Sequence, residues 1–262
     1  NWTLVKLNTG LDWNSVITEQ MKGGKSLVPD SYPAYMKLGG YGAGWSYSAD
    51  NILRYYMDPR NALKEETIFQ FELLTYNELY HTEAAVQGFL DNTFMKGIGP
   101  GTELTFAKIF WAIGREKNVS PFHLASRAYQ EQGAGTSPLI SGTYPGFEGF
   151  YNYFNIKASG KTSEEIFVNG LTYAKENEWK NAYFSILGGT NVISANYILK
   201  GQDTLYLQKY NVNPLGAYAV HTHQYMQNIV APTSEGKNMR KLYQTAGSLE
   251  NTFVFKIPVF EH

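Results

Sequence analysis

The chain has 262 residues, a length that allows a sizeable core in one large or two small domains. Hydrophobic residues make up 43% of it and charged residues only 17%. Its 22 Lys and Arg residues are balanced by 23 Asp and Glu residues, so the basic surplus typical of nucleic-acid-binding proteins is missing. Cysteine is absent, which excludes disulfides, thiol nucleophiles and Cys-ligated metal centres.

The hydrophobic pattern predicts a mainly helical chain with a small β part, an α+β fold. Helices are predicted at 48–57, 67–80, 83–94, 102–117, 121–132, 162–177, 179–199 (one helix, or two interrupted at Gly188-Gly189) and 223–231. Strands are predicted at 1–7, 204–210 and 253–258, and loops at 38–48 and 134–150. No stretch approaches the roughly 18 apolar residues of a membrane-spanning helix, so no membrane insertion is expected.

The helix at 121–132 has clear signals at both ends. Ser120 is a good N-cap, Pro121 suits the first helical position, and Gly133 is typical of the residue that ends a helix. Glu131 therefore falls in the last turn, beside a long loop rich in Gly, Ser, Thr and Pro.

Glu131 is the first candidate for chemistry. Its spacing from Leu124 and Ala128 places it on the face expected to meet the core. Partial burial and the negative end of the helix dipole both disfavour the carboxylate, which suits a general acid. The alternative is a surface pair with Arg127 one turn earlier, which contributes at most about 0.5 kcal/mol.

Several segments in a fixed order carry a family resemblance. They are 117–121 (Lys-Asn-Val-Ser-Pro), 124–125 (Leu-Ala), 131–133 (Glu-Gln-Gly), 140–144, 151–156 (Tyr-Asn-Tyr-Phe-Asn-Ile), 196–198 with 201–212, and 223–229, with 56–61 and 68–72 upstream. Together they resemble the bacterial glucosaminidase family, over roughly residues 50 to 260. Two departures indicate a subfamily: Gln132 replaces the Ser of the family's usual Glu-Ser-Gly, and 225–228 (Tyr-Met-Gln-Asn) replaces Tyr-Ala-Thr-Asp.

The resemblance implies an endo-β-N-acetylglucosaminidase that hydrolyses the β-1,4 bond between GlcNAc and MurNAc in peptidoglycan strands, as an autolysin of the cell wall. It implies a lysozyme-like helical core with a β-hairpin region flanking the active-site groove. We expect one catalytic module over 1–262, with a mostly helical lobe at 1–100 and the core at 101–262. No cofactor or metal is expected, and the molecule is expected to be a monomer.

Export to the cell wall is expected from the family and from the missing cysteines. The chain starts at Asn1 rather than Met and shows no charged-then-apolar leader, so we interpret it as a mature or trimmed fragment without its signal peptide.

The resemblance assigns roles to three residues: Glu131 as the acid, Tyr225 as a tyrosine beside the cleaved bond, and Phe154 in the floor of the sugar groove. The second catalytic group stays open. Glu148, the acidic residue of the loop after Glu131, is a candidate base for an inverting reaction. In the other route, the substrate's own 2-acetamido group attacks the anomeric carbon, and Tyr225 orients that group or stabilises positive charge.

Six further residues are predicted to contact the sugar. The rings of Tyr129, Tyr144, Tyr151 and Tyr153 suit stacking on sugar faces, while Asn152 and Asn155 suit hydrogen bonds to acetamido or hydroxyl groups.

Two other functions are weighed against this one. A metal-dependent wall amidase would need a third ligand beside the pair His221 and His223, and the sequence offers none nearby. A non-catalytic glycan-binding protein would use the same aromatic and Asn side chains without the acid.

Overall fold

The computed structural model describes residues 2–133 and 135–261 and has the predicted mainly helical α+β architecture. Its strands are β1 (Trp2–Asp12), β2 (Leu27–Pro29), β3 (Lys37–Gly42), β4 (Trp45–Ser48) and β5 (Phe253–Glu261). Its helices are α1 (Trp13–Gln20), α2 (Asp50–Met57), α3 (Glu83–Leu90), α4 (Phe106–Lys117), α5 (Pro121–Gln132), α6 (Ser163–Glu176), α7 (Ala182–Ala195), α8 (Leu205–Tyr210) and α9 (Ala231–Thr245). None of the helices in this described part has the length and hydropathy to cross a membrane.

Two compact units make up the described chain. The first contains residues 2–73, 197–241 and 252–261, and the second contains Leu74–Asn196 and Leu242–Asn251. A boundary between two lobes is predicted at residue 100. Pro100 lies inside the second unit, so this boundary does not separate the two units. Asn1 and Ala134, which begin the strand predicted at 1–7 and the loop predicted at 134–150, lie outside the described residues.

The first unit contains both sheets. Strands β1 and β5 form a parallel pair, in which Trp2 lies opposite Phe253. Rings from Trp2, Phe69, Phe253 and Phe255 pack edge to face beneath this pair, with centroids 5.2–6.4 Å apart.

The second sheet has the order β2-β4-β3, and β3 and β4 form an antiparallel hairpin. Ala43 and Gly44 connect them with φ values of 52° and 85°, the positive values that a two-residue hairpin turn of the primed type requires. The loop predicted at 38–48 is therefore wrong.

Long-range backbone pairing overturns two predicted helices. Only Ile68–Phe71 forms a short 3₁₀ turn within 67–80, since Leu73 N–H then donates to Val254 O and Glu72 bridges Phe255. The helix predicted at 223–231 is also wrong. There Leu27 N–H donates to Gln227 O and Ile229 N–H donates to Leu27 O.

The strand predicted at 204–210 is wrong as well, because these residues form α8. The Thr204 hydroxyl accepts a hydrogen bond from Leu207 N–H and caps the helix, and all six helical residues are buried. Helix α7, by contrast, runs without interruption through Gly188-Gly189.

The second unit is a helical body in which α4 packs against α3, α5 and α7. Asn118 ends α4 in the left-handed conformation, with φ 54°. Gly114 allows α4 to approach the start of α5, because a Cβ there would lie 2.7 Å from Val119 O. This turn fixes where α5, the helix that carries Glu131, begins.

Candidate active site

Helix α5 has the ends that its sequence predicts. The Ser120 hydroxyl accepts from His123 N–H at 3.2 Å, and Pro121 occupies the first helical position. Gly133 ends the helix with φ 57° and donates its N–H to Tyr129 O at 2.9 Å. Glu131 therefore lies in the last turn, as predicted.

The Glu131 side chain is half-buried, with 31% of it exposed, and makes two side-chain contacts. Its Oε2 accepts a hydrogen bond from Asn155 Nδ2 at 2.9 Å, and the same Nδ2 donates to Glu131 O at 3.2 Å. Arg127 Nη2 lies 3.5 Å from Oε1, so the ion pair one turn apart exists, but it is long. The shorter contact, with Asn155, joins the end of α5 to the loop that contains Asn155.

Gln132 determines which way the Asn155 amide faces. Its Nε2 lies 3.1, 3.0 and 2.7 Å from the acceptors Asn152 O, Tyr153 O and Asn155 Oδ1, which share its two N–H groups. Because backbone carbonyls only accept, the NH₂ end of Gln132 must face them, and Asn155 must then turn its oxygen towards Gln132. The Asn155 NH₂ is thereby directed at Glu131.

The two carboxyl oxygens of Glu131 therefore have different partners. Oε2 accepts from the Asn155 amide, whereas Oε1 faces Arg127 Nη2 at 3.5 Å. Sequence reasoning noted Gln132 only as a departure from the family and missed this orienting role. The sequence signal for this role is the amide side chain of Gln132 directly after Glu131.

Asn155 adopts φ 52°, in the left-handed region where Asn is favoured among residues other than glycine. An asparagine can therefore adopt the backbone conformation that directs its amide towards Glu131. Asn155 thus contacts Glu131, and its predicted hydrogen bond to a sugar stays a prediction.

Two predicted sugar ligands are buried instead. Asn152 is fully buried, and its amide donates to Ile156 O and Gly170 O while its oxygen accepts from Ile156 N–H. Tyr153 is 1% exposed and lies edge to face with Phe106. These side chains build the loop in this structure, and their contacts with sugar stay predictions.

The other predicted aromatic residues have varied surroundings in the second unit. Phe154 is buried and packs against Gly189 of α7, where a Cβ would overlap its ring. Tyr151 is buried and stacked on Tyr153, while the half-buried Tyr129 stacks on Phe94. Tyr144 is half-buried between Phe147 and Phe167. Their contacts with sugar stay predictions.

Glu148 is exposed in the loop after α5, and its Oε1 accepts from Gly146 N–H at 3.1 Å. Hydrogen bonds from its own backbone N–H and from that of Gly146 lower the pKa of the Glu148 carboxyl. The ionised state that a base requires is therefore favoured at neutral pH. Its participation stays a prediction.

Tyr225 belongs to the first unit, where it is 46% exposed and lies edge to face with Tyr197 at 5.4 Å. The nearby histidines have separate partners: His221 Nδ1 contacts Gln20 Nε2, and His223 Nδ1 contacts Gln202 Oε1. Across residues 2–133 and 135–261, no three His, Asp or Glu side chains come together as metal ligands.

Curated relatives of the chain are staphylococcal autolysins. A bifunctional autolysin of Staphylococcus epidermidis is 26% identical over 224 residues, covering 83% of this chain and 16% of the relative. A bifunctional autolysin of Staphylococcus aureus is 25% identical over 262 residues, covering 95% and 19%. The chain thus spans less than a fifth of the length of these relatives. A scan against models of known families gives no match.

Solved structures with the same fold come from similar proteins. A major bifunctional autolysin superposes with a TM-score of 0.70 at 23% identity, covering 98% of each chain. Glucosaminidase B of S. aureus gives 0.69 at 20% identity, covering 98% and 94%. A catalytic mutant of S. aureus autolysin E, with a glutamate replaced by alanine and the disaccharide NAG-NAM bound, gives 0.50 at 20% identity, covering 90% and 92%. The expected α+β glucosaminidase fold is confirmed.

Proposed function

We propose that this chain, a homologue of the glucosaminidase-type peptidoglycan hydrolases, cleaves the β-1,4 bond between GlcNAc and MurNAc in peptidoglycan strands. The observation that carries the proposal is the half-buried Glu131 side chain at the end of α5, where Asn155 holds its Oε2 at 2.9 Å. The glycan bound to autolysin E, a protein of the same fold, supports the substrate class.

In this proposal Glu131 acts as the general acid. Its proton goes to the glycosidic oxygen as the bond between that oxygen and the anomeric carbon breaks, so the leaving sugar departs with a neutral hydroxyl. The Asn155 amide then stabilises the carboxylate that is left, because a hydrogen bond to a charged oxygen is stronger than one to a neutral oxygen.

Two routes complete the reaction. In an inverting route, ionised Glu148 takes a proton from the attacking water. In a substrate-assisted route, the oxygen of the 2-acetamido group attacks the anomeric carbon and water later opens the ring so formed. The stereochemistry of the first product separates them, since the inverting route gives the α-anomer and the assisted route retains the β-anomer. The role of Tyr225 beside the cleaved bond rests only on the family resemblance.

The place and form of action are part of the same proposal. We expect a single catalytic module over 1–262 that works as a monomer, outside the cell, on the strands of the wall. Neither a cofactor nor a nucleic acid has a part in this chemistry.

The acid is tested by Glu131→Gln on purified peptidoglycan. This variant keeps the shape of the side chain and its contact with Asn155 but carries no acidic proton, so we expect turnover to stop while the fold and glycan binding persist. Glu176→Gln, a change at an exposed glutamate of α6, is the matched control and should keep full activity. Near-normal wall lysis by Glu131→Gln would refute the assignment.

Product analysis tests the bond and the rival functions. We expect mass spectra of fragments that end in reducing GlcNAc, in the presence or absence of a chelator. Ends in reducing MurNAc would indicate a muramidase instead. Freed amines that disappear in chelator would indicate a metal-dependent amidase, and binding without any fragments would indicate a non-catalytic glycan-binding protein.

A further inference from the structure

A cavity of about 350 Å³ lies in the second unit between the C-terminal part of α6 and the middle of α7. Its lining includes the rings of Tyr173, Trp179 and Phe184 and the amides of Asn177 and Asn191, and none of its lining residues carries a formal charge. It shares no residue with the Glu131 site. Its volume lies within the range of small-molecule sites.

The indole N–H of Trp179 is a hydrogen-bond donor at the edge of this cavity. The residue is 4% exposed, and its indole edge lies against Gly188, where a Cβ would overlap Nε1. Gly188 itself lines the cavity, so the N–H group borders it. Within the part of the chain that the structure describes, the Trp179 Nε1–H has no hydrogen-bond partner. An indole N–H that opens into a cavity is available to donate a hydrogen bond to a ligand atom there.

Other groups around the cavity favour a sugar ring as that ligand. Phe184 is 49% exposed and offers a flat apolar face, and Asn191 is exposed with its amide unpaired among the described residues. A ligand must therefore present an apolar face, hydrogen-bonding groups and no charge. An anion would lack a cation here, and a hydrocarbon chain would lack an acceptor for the indole.

We propose that this cavity binds one N-acetylhexosamine ring of a glycan strand, with an oxygen of the acetamido group accepting from Trp179 Nε1 and the ring face on Phe184. The identity of the strand as peptidoglycan rests on the proposed function, whereas the sugar chemistry follows from the cavity itself. The site holds the strand and takes no part in bond cleavage.

The probe is the β-1,4-linked tetramer of N-acetylglucosamine, added to ¹⁵N-labelled Glu131→Gln protein. The chain has five tryptophans and so five indole N–H signals, of which Trp179→Phe identifies one. We expect the Trp179 signal to move progressively with ligand while that of Trp111 stays. The variants Phe184→Ala and Asn191→Ala, both at exposed positions, should weaken the affinity at least tenfold, and Tyr35→Ala, at another exposed ring, should leave it unchanged.

Three results would overturn the proposal. They are a Trp179 signal that does not move at millimolar tetramer, an equal response in Phe184→Ala, and an equal response to the glucose tetramer, which has no acetamido group. Wall hydrolysis by the unmodified protein is measured separately. A moving Trp179 signal without hydrolysis would keep this site and reject the proposed function, and the reverse result would reject only this site.

Discussion

Replacing Asn155 by Gly removes the amide that donates to Oε2 of Glu131, while glycine accepts the φ of 52° at this position without strain. A hydrogen bond to a charged group contributes about 1.5–3 kcal/mol. If that bond strengthens as Glu131 becomes a carboxylate in the transition state, its loss lowers kcat by about 10- to 150-fold. Because the amide contacts the acid, we expect KM to change much less.

The measurement is the initial rate of reducing-end release against substrate concentration, with the melting temperature recorded for every variant. Asn169→Ala is the matched control, since it removes an amide that donates to Ser159 O at 2.7 Å in the same unit. Its kcat should equal that of the unmodified protein. If Asn155→Gly folds normally and keeps its kcat, Asn155 does not support the acid and the reasoning fails.

Gln132 tests whether the orientation passes through Asn155. Gln132→Ser removes the donor that fixes the Asn155 oxygen at 2.7 Å, so the amide is free to turn away from Glu131. In a double-mutant cycle, Gln132→Ser should lower kcat in the unmodified background but add little in Asn155→Gly. Strictly additive effects would contradict the coupling.

Three further predictions concern stability. Burial, assisted by the Arg127 charge, lowers the pKa of His123 to about 3 from 6.5, so the unfolded chain binds the extra proton and stability falls as the pH drops through that window. His123→Leu should remove up to about 1.4 kcal/mol per pH unit of this slope in urea unfolding, and an unchanged slope would contradict it. Burial lowers the pKa of Lys209 to about 7 from 10.5, so stability should rise with pH between these values, and Lys209→Met should flatten the rise in the same assay. Gly142→Ala adds a Cβ that overlaps the Tyr151 hydroxyl at φ 66° and should lower the unfolding free energy by about 2 kcal/mol or more. A melting temperature equal to that of the unmodified protein would refute this last reasoning.

The parts of the fold that sequence predicted well depend on local chemistry. Helix α5 begins and ends where its own residues require, because Ser120 satisfies a free N–H group at one end and Gly133 accepts a positive φ at the other. Thr162 starts α6 in the same way, by accepting from Glu165 N–H. Such signals lie within four residues of the feature that they determine.

The mistaken elements depend on partners far along the chain. The residues around Glu72 are apolar enough for a helix, but their backbone groups pair with β5. The apolar run at 204–210 matches a strand in composition, yet the Thr204 cap and burial on all sides make it a helix. No local pattern contains this information.

The candidate site also has a part that local sequence predicts and a part that depends on distant residues. The position of Glu131 follows from helical spacing, and its resemblance to a family acid adds a role. Its link to Asn155 does not follow, because it requires the loop to return with φ 52° and Gln132 to face two carbonyls of that loop. Asn152 has the same side chain as Asn155 but is used to build the loop.

The parallel pairing of β1 with β5 has a consequence for the order of assembly during synthesis. Strand β1 is made before the other described elements of this chain, and its hydrogen-bonding partner β5 is made after them. Until β5 leaves the ribosome, Trp2 and Phe69 lack the rings of Phe253 and Phe255, and one edge of β1 has no backbone to pair with. Most of the second unit is continuous in the chain, so its helices have their partners earlier. We therefore expect the helices of the second unit to pack before β5 pairs with β1.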